Sequence, residues 1–181
     1  VQRGKADGLY ITTAGVGNVI PGVELGGRFA KPGDVVIVSG TLGDHGIAVL
    51  GARGDLGFET DVKSDIAPLN HMVYAMLETS EEIHVLRDPT RGGLASTLNE
   101  IANQSGVCIQ LNETAIPVSP QVEATCEILG FDPLYIANEG KLVAIVGHDD
   151  ADKIIETIQQ NPYGKNARII GEVTDAPANR V

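Results

Sequence analysis

The sequence predicts an α/β domain in which a mixed β-sheet is covered by helices. Short, continuous apolar runs such as Val35–Val38 are typical of buried strands. These runs alternate along the chain with longer segments whose apolar residues recur at helical spacing. With 181 residues, 43% of them hydrophobic, the chain is long enough for one well-buried core.

The predicted strands are rich in β-branched residues and are bounded by turn residues. They span residues 8–19, 35–38, 83–86, 107–111, 142–146 and 167–173. The first one breaks up at Gly15 and Gly17 and is followed by a turn at Pro21-Gly22. A second cluster of turn residues, 26–34, marks the predicted domain seam.

The predicted helices carry apolar residues on one face and end at glycines or turns. They span residues 44–53, 68–77, 94–104, 121–129 and 149–160. Asp44 is the expected cap of the first helix. Pro68 is the expected start of the second, with Ser64 or Asp65 as its cap.

Charge and cysteine content exclude several classes of protein. Thirteen Lys and Arg residues against 24 Asp and Glu residues give a net charge of −11, which disfavours binding to nucleic acid or to anionic membranes. Cys108 and Cys126 lie in apolar stretches without metal-site spacing, and the histidines are scattered, so no metal site is predicted. Unpaired cysteines favour a cytoplasmic protein, and no apolar run is long enough to span a membrane.

The segment Asp88-Pro-Thr-Arg-Gly-Gly93 is a candidate phosphate-binding loop. It follows a predicted strand and opens a predicted helix, so free backbone amides, the positive helix end and Arg91 can bind an anion. The alternative is a tight turn that needs two glycines, with Thr90 as the cap and Asp88 holding the loop amides. The spacing alone leaves both interpretations open.

Two further segments contain groups suited to proton transfer. Glu139, in Asn138-Glu139-Gly140, lies between two apolar stretches, where partial desolvation suits a general base. The alternative is an ordinary hairpin turn with a solvated carboxylate. His45 lies at a glycine-flanked helix start, where the helix dipole favours a neutral imidazole.

Four motifs, taken in order, resemble those of the HypE family of hydrogenase maturation factors. They are Val38-Ser39-Gly40 with Gly43-Asp44-His45-Gly46, Ser64-Asp65-Ile66-Ala67-Pro68-Leu69-Asn70, residues 88–95, and Asn138-Glu139-Gly140-Lys141-Leu142-Val143. This family belongs to the superfamily of aminoimidazole ribonucleotide synthetase, selenophosphate synthetase and thiamine-phosphate kinase. The resemblance implies that residues 1–27 contain the last strand of an N-terminal ATP-binding domain and that residues 31–181 form the C-terminal domain.

The resemblance also implies an activity. Members of the family use ATP to dehydrate a carbamoyl group on the sulfur of a C-terminal cysteine, and the resulting thiocyanate supplies the cyanide ligands of nickel–iron hydrogenase. By similarity Glu139 is the base, Asn138 orients it and His45 is a secondary catalytic candidate. Asp88, Thr90, Arg91, Gly92 and Gly93 are the implied ATP and phosphate contacts.

The implied cofactors are ATP and Mg²⁺, with Asp88 holding the loop or reaching the magnesium. The implied partners are a HypF-type carbamoyltransferase, a HypC–HypD complex and a second copy of the protein. Because the sequence lacks the family's N-terminal half and terminal cysteine, we expect these 181 residues to be inactive alone. The alternatives are a relative of selenophosphate synthetase or thiamine-phosphate kinase, and a non-enzymatic module that binds partners through its acidic face.

Overall fold

A five-stranded β-sheet organises the computed structural model, which describes residues 12–54, 57 and 59–181. Its strands are β1 (Val35–Val38), β2 (Ile83–Arg87), β3 (Cys108–Leu111), β4 (Val143–Val146) and β5 (Arg168–Thr174). Their order across the sheet is β2-β4-β1-β5-β3. All four strand pairs are antiparallel, so the expected mixture of strand directions is not found among the described strands. The alternation of strands with helices along the chain confirms the predicted α/β class.

Five α-helices follow the order that the sequence predicts. They are α1 (Asp44–Arg53), α2 (Asn70–Thr79), α3 (Gly93–Ser105), α4 (Pro120–Leu129) and α5 (Ala151–Gln160). No helix among the described residues is long and apolar enough to cross a membrane.

Helices cover both faces of the sheet. Leu94 and Leu98 of α3 pack on the face that contains Val36, whereas Met76 of α2 and Ile154 of α5 pack on the opposite face. Strands β1 and β4 are therefore buried on both sides, which explains why they are continuously apolar rather than alternating.

A smaller cluster joins α1 to α4 at one side of the sheet. Ile47 of α1 is fully buried against Val122 and Cys126 of α4. Helix α4 begins with Ser119 as its N-cap, and its C-cap Gly130 has the left-handed backbone expected at a helix end. This cluster fixes the position of α1, whose first turn carries His45.

Three expectations about local structure were wrong. The strand predicted at residues 8–19 is not found in its described part: residues 12–19 are exposed, and none of the described strands hydrogen-bonds to them. Residues 8–11 lie outside the described residues. Helix α2 begins at Asn70 rather than Pro68. Asp44 is the first residue of α1 rather than its cap, since its carboxylate accepts hydrogen bonds from the Thr41 and Ser119 hydroxyls.

The sheet register brings the candidate segments to one edge. Val143, the first residue of β4, pairs with Val38, the last residue of β1, and with Arg87, the last residue of β2. The segments that follow β1 and β2 and the segment that precedes β4 therefore lie side by side.

Candidate active site

Asn138 links these segments through its side-chain amide. The side chain is fully buried, and its Oδ1 accepts the Gly43 amide at 2.8 Å. Its Nδ2 donates to the carbonyl oxygens of Pro89, at 3.1 Å, and Ile136, at 3.0 Å. Asn138 thus joins the start of α1 to the 88–93 loop and has no exposed surface with which to contact a substrate.

Glu139 is the next residue, and Asp65 holds its backbone. Oδ1 of Asp65 accepts the amide of Glu139 at 3.0 Å and that of Gly140 at 3.2 Å. Position 140 must be glycine, since a Cβ there would lie 1.8 Å from the Asp65 carbonyl oxygen and 2.6 Å from the Ala67 nitrogen. The 59–69 segment therefore lies directly against the Glu139 turn.

His45 faces the Glu139 carboxylate. Its Nε2 lies 3.9 Å from Oε1 of Glu139, and its Nδ1 is 2.9 Å from the Ser64 hydroxyl. The His45 side chain is 19% exposed and that of Glu139 is 41% exposed. The structure therefore brings two predicted catalytic residues together, but Glu139 is less desolvated than the sequence predicts.

A buried carboxylate lies beneath this pair. The Asp65 side chain is 1% exposed, and its Oδ2 has no hydrogen-bond partner among the residues that the structure describes. The Lys141 ammonium lies 3.9 Å from this oxygen, on a side chain that is 11% exposed. Burial of an isolated charge is costly, so Lys141 is the group that compensates Asp65 electrostatically.

Asp88 makes local contacts at the start of the 88–93 loop. Oδ2 of Asp88 accepts the Thr90 hydroxyl at 2.8 Å, and Oδ1 lies 3.8 Å from Nε of Arg87. Arg91 is exposed, and α3 begins two residues later, at Gly93. The loop therefore presents an arginine and a positive helix end at the sheet edge that carries Glu139.

The two glycines of this loop are required by the protein's own packing. Gly92 and Gly93 have φ of 72° and 62°, which non-glycine residues rarely adopt. A Cβ at Gly93 would also lie 2.4 Å from the Leu134 carbonyl oxygen. Gly92, rather than Thr90, is the N-cap of α3. The tight-turn interpretation therefore accounts for both glycines, while Arg91 and the helix end still suit an anion.

The sequence predictions also concern metal ligands and the two cysteines. The described residues contain no group of three or more His, Cys, Asp or Glu side chains that could hold a metal ion. Cys108 and Cys126 are both buried and unpaired. Burial, followed by the nearby charge of Asp132, raises the pKa of the Cys126 thiol, so that thiol stays protonated.

Sequence patterns did not identify three residues of the site, namely Ser64, Asp65 and Lys141. The first two have the local pattern of a helix start, and their actual contacts lie 19 to 75 residues away in the chain. The buried partner of Lys141 is equally invisible from its neighbours in sequence. The only available signal was membership of the motifs on which the family resemblance rests.

Comparison with known proteins supports that resemblance. The chain is 54% identical over 175 residues to the carbamoyl dehydratase HypE of Cupriavidus necator, covering 97% of the chain and 50% of that protein. It is 41% identical over 181 residues to HypE of Escherichia coli K12, covering 100% and 54%. The chain spans about half the length of the curated relatives it matches.

Solved structures give the same result. The fold matches a chain of a HypE–HypF complex with a TM-score of 0.83 and 49% identity, covering 86% of this chain and 51% of that one. It matches HypE in complex with ATP with a TM-score of 0.79 and 48% identity, covering 84% and 45%. A thiamine-monophosphate kinase from Stenotrophomonas maltophilia K279a shares the fold, with a TM-score of 0.62, 24% identity and coverage of 85% and 51%.

A family profile matches most of the chain. The profile described as AIR synthase related protein, C-terminal domain, covers residues 31–181, which include every strand and helix named above. The chain therefore belongs to the AIR synthase related protein family, as a C-terminal domain of that family.

Proposed function

We propose that the chain is the C-terminal domain of a HypE-like carbamoyl dehydratase, an enzyme that uses ATP to convert a carbamoylated cysteine to a thiocyanate. The observation that carries the proposal is the Glu139–His45 pair, 3.9 Å apart beside the 88–93 loop. The 54% identity to a carbamoyl dehydratase supports it. The product would supply the cyanide ligands of nickel–iron hydrogenase.

Glu139 is the proposed base. Dehydration of a primary amide to a nitrile removes both protons from nitrogen and the oxygen as a leaving group, so a base must reach the nitrogen, and a carboxylate can serve as that base. The Glu139 side chain is partly exposed and therefore accessible to a substrate. His45, fixed through Nδ1 by Ser64, faces the same carboxylate and helps to orient it. Asn138 acts as a positioning residue, through the backbone groups it binds.

The 88–93 loop is the proposed phosphate contact. When bound, ATP supplies the phosphoryl group that turns the carbamoyl oxygen into a leaving group. Arg91 and the N-terminus of α3 offer the positive charge that a phosphate needs. Thr90 keeps Asp88 hydrogen-bonded within the loop. Mg²⁺ is proposed to bind together with ATP, since it is usually held by substrate phosphates and only one or two carboxylates. Asp88 is the carboxylate that this loop offers.

The proposal also includes the protein partners and the cellular location. A HypF-type carbamoyltransferase is the proposed donor partner, since the chain matches a HypE–HypF complex at 49% identity. A HypC–HypD complex as acceptor and a homodimer follow from the family resemblance. A cytoplasmic setting accords with the two unpaired, buried thiols.

The domain assignment is also part of the proposal. Residues 31–181 are the C-terminal domain, and residues 1–27 belong to the end of an N-terminal ATP-binding domain. The 181 residues alone are proposed to be inactive, because they span about half the length of the relatives that they match. The alternative kinase relationship rests on 24% identity, which supports only the fold. Among the residues that the structure describes, no specific contact favours a purely partner-binding module.

The test uses the gene product that contains this chain, loaded with a carbamoylated cysteine substrate. We expect Glu139→Gln to abolish ATP-dependent loss of water, followed by mass spectrometry, while ATP binding measured by calorimetry stays nearly unchanged. Glu156→Gln, the same change on the exposed face of α5, is the control and retains activity. Unchanged turnover in Glu139→Gln would remove Glu139 as the base, and no dehydration by the wild type would reject the function.

A further inference from the structure

We propose that Asp65 is a positioning residue that aims Glu139 at His45, acting through the backbone rather than by touching the substrate. Its catalytic consequence rests on the proposed function. Asp65 and Glu139 are 74 residues apart in the chain, yet one carboxylate oxygen of Asp65 accepts both the Glu139 and the Gly140 amides. These two hydrogen bonds hold the peptide groups on both sides of the Glu139 Cα atom, and so they fix the direction in which its side chain leaves the backbone.

Adjacent residues of the same segment hold both members of the pair. Ser64 binds Nδ1 of His45 at 2.9 Å, and Asp65 binds the Glu139 backbone at 3.0 Å. Fixing Nδ1 leaves Nε2 directed at Glu139. The short 64–65 segment therefore sets the relative placement of the base and the histidine.

The contact is tight because the backbones touch. The Asp65 and Ala67 backbone atoms occupy the space that a side chain at Gly140 would fill. The 59–69 segment therefore cannot shift toward the Glu139 turn. Burial of the Asp65 side chain, together with the Lys141 ammonium at 3.9 Å, keeps the carboxylate in place and excludes water from its bonds to the two amides.

Asp65 does not serve the ordinary structural role of an aspartate in this position. Helix α2 starts five residues later, at Asn70, and has no side-chain cap. The hydrogen bonds found for Asp65 are those to the Glu139 turn. A capping role would give bonds to amides two or three residues ahead in the same segment, so the observed geometry assigns Asp65 to the Glu139 turn.

The test combines Asp65→Ala with the conservative Asp65→Asn, whose Oδ1 can still accept both amides. We expect Asp65→Ala to lower the kcat of dehydration by about 100-fold, the effect of a misplaced catalytic group, with the KM for ATP unchanged. We expect Asp65→Asn to retain most of the wild-type kcat. Asp61→Ala, at an exposed aspartate of the same segment, is the control and leaves kcat unchanged.

A second readout does not depend on activity. In the wild type we expect amide hydrogen exchange at Glu139 and Gly140, resolved by NMR, to be at least about tenfold slower than in the unfolded chain. Asp65→Ala removes that protection while leaving the Gly43 amide, held by Asn138, protected. Hydrogen exchange can be measured even if the wild type shows no dehydratase activity. Such a lack of activity would reject the proposed function but not the positioning role of Asp65.

Three results would overturn the positioning role. The first is fast hydrogen exchange at the Glu139 or Gly140 amide of the wild type. This measurement needs no variant, so it tests the positioning role even if Asp65→Ala does not fold. The second is wild-type kcat in Asp65→Ala. The third is an Asp65→Asn variant as slow as Asp65→Ala despite protected amides, since that would assign the effect to charge.

Discussion

Replacing Asn138 by alanine tests the buried link between the start of α1 and the 88–93 loop. The substitution removes the acceptor of the Gly43 amide and the donor to the Ile136 carbonyl. The Pro89 carbonyl keeps one bond, because the Asn138 backbone amide also donates to it, at 3.3 Å. The Gly43 amide, which is buried, and the Ile136 carbonyl, which is part-buried, therefore lose these partners.

The expected cost follows from those two groups. An unsatisfied buried donor or acceptor costs about 1–3 kcal/mol, so Asn138→Ala should lower the free energy of unfolding by roughly 2–6 kcal/mol. For a domain of this size a loss near the middle of that range, about 4 kcal/mol, lowers the Tm by about 8–16 °C.

Urea unfolding followed by far-ultraviolet circular dichroism measures this loss, and it suits a chain without tryptophan. Asn103→Ala is the matched control. That side chain is exposed on α3, where its amide donates to the Asn99 carbonyl, and its loss should change stability by less than about 0.5 kcal/mol. A loss below about 1 kcal/mol for Asn138→Ala would refute the assignment of Asn138 as the link.

Two further substitutions test packing and charge. Gly140→Ala should lower the unfolding free energy by about 3 kcal/mol, since its Cβ meets backbone atoms, whereas Gly15→Ala, with open space around it, should be neutral in the same urea titration. Hydrogen bonds from Lys153, then from Ser80, lower the pKa of Asp150, so its ionised form stabilises the fold above the ordinary aspartate pKa and that contribution is lost as pH falls. The stability difference between the wild type and Asp150→Asn should therefore be larger at pH 7 than at pH 3; equal differences would contradict it.

Much of the fold follows from local patterns in the sequence. The continuous apolar segments of β1 and β4 predicted buried strands, and in the structure both faces of these strands are covered. The helical spacing of Leu94, Leu98 and Ile101 predicted α3, which ends before Gly106, as expected. These features depend on residues a few positions apart, so a single sequence is enough to identify them.

The start of α2 and the direction of strand pairing were not predicted correctly, for different reasons. Ser64, Asp65 and Pro68 have the spacing that is typical of a helix start. The Asp65 carboxylate, however, binds amides of the Glu139 turn instead of capping α2. Strand direction depends on how connections cross the sheet, which helix and strand patterns do not encode. Both errors concern contacts between residues that are distant in the chain.

The register of β4 also depends on contacts between residues that are distant in the chain, and it determines the geometry of the site. Slipping β4 by one residue would exchange the residues facing α3 with those facing α2 and α5. Val143 and Ala144 are apolar and buried on opposite faces, so apolar character alone does not select one register.

Polar contacts at the sheet edge distinguish the two registers. The Ser39 hydroxyl accepts the Leu142 amide at 2.9 Å, and the Ser39 amide donates to the Leu142 carbonyl at 3.0 Å. Two residues earlier, the 59–69 segment crosses so close to position 140 that only a glycine fits there, and a slip of one residue would place Glu139 or Lys141 at that point. We infer that the contacts that place Glu139 also fix the register of β4, so a substitution that loosens this turn disturbs the site and the core together.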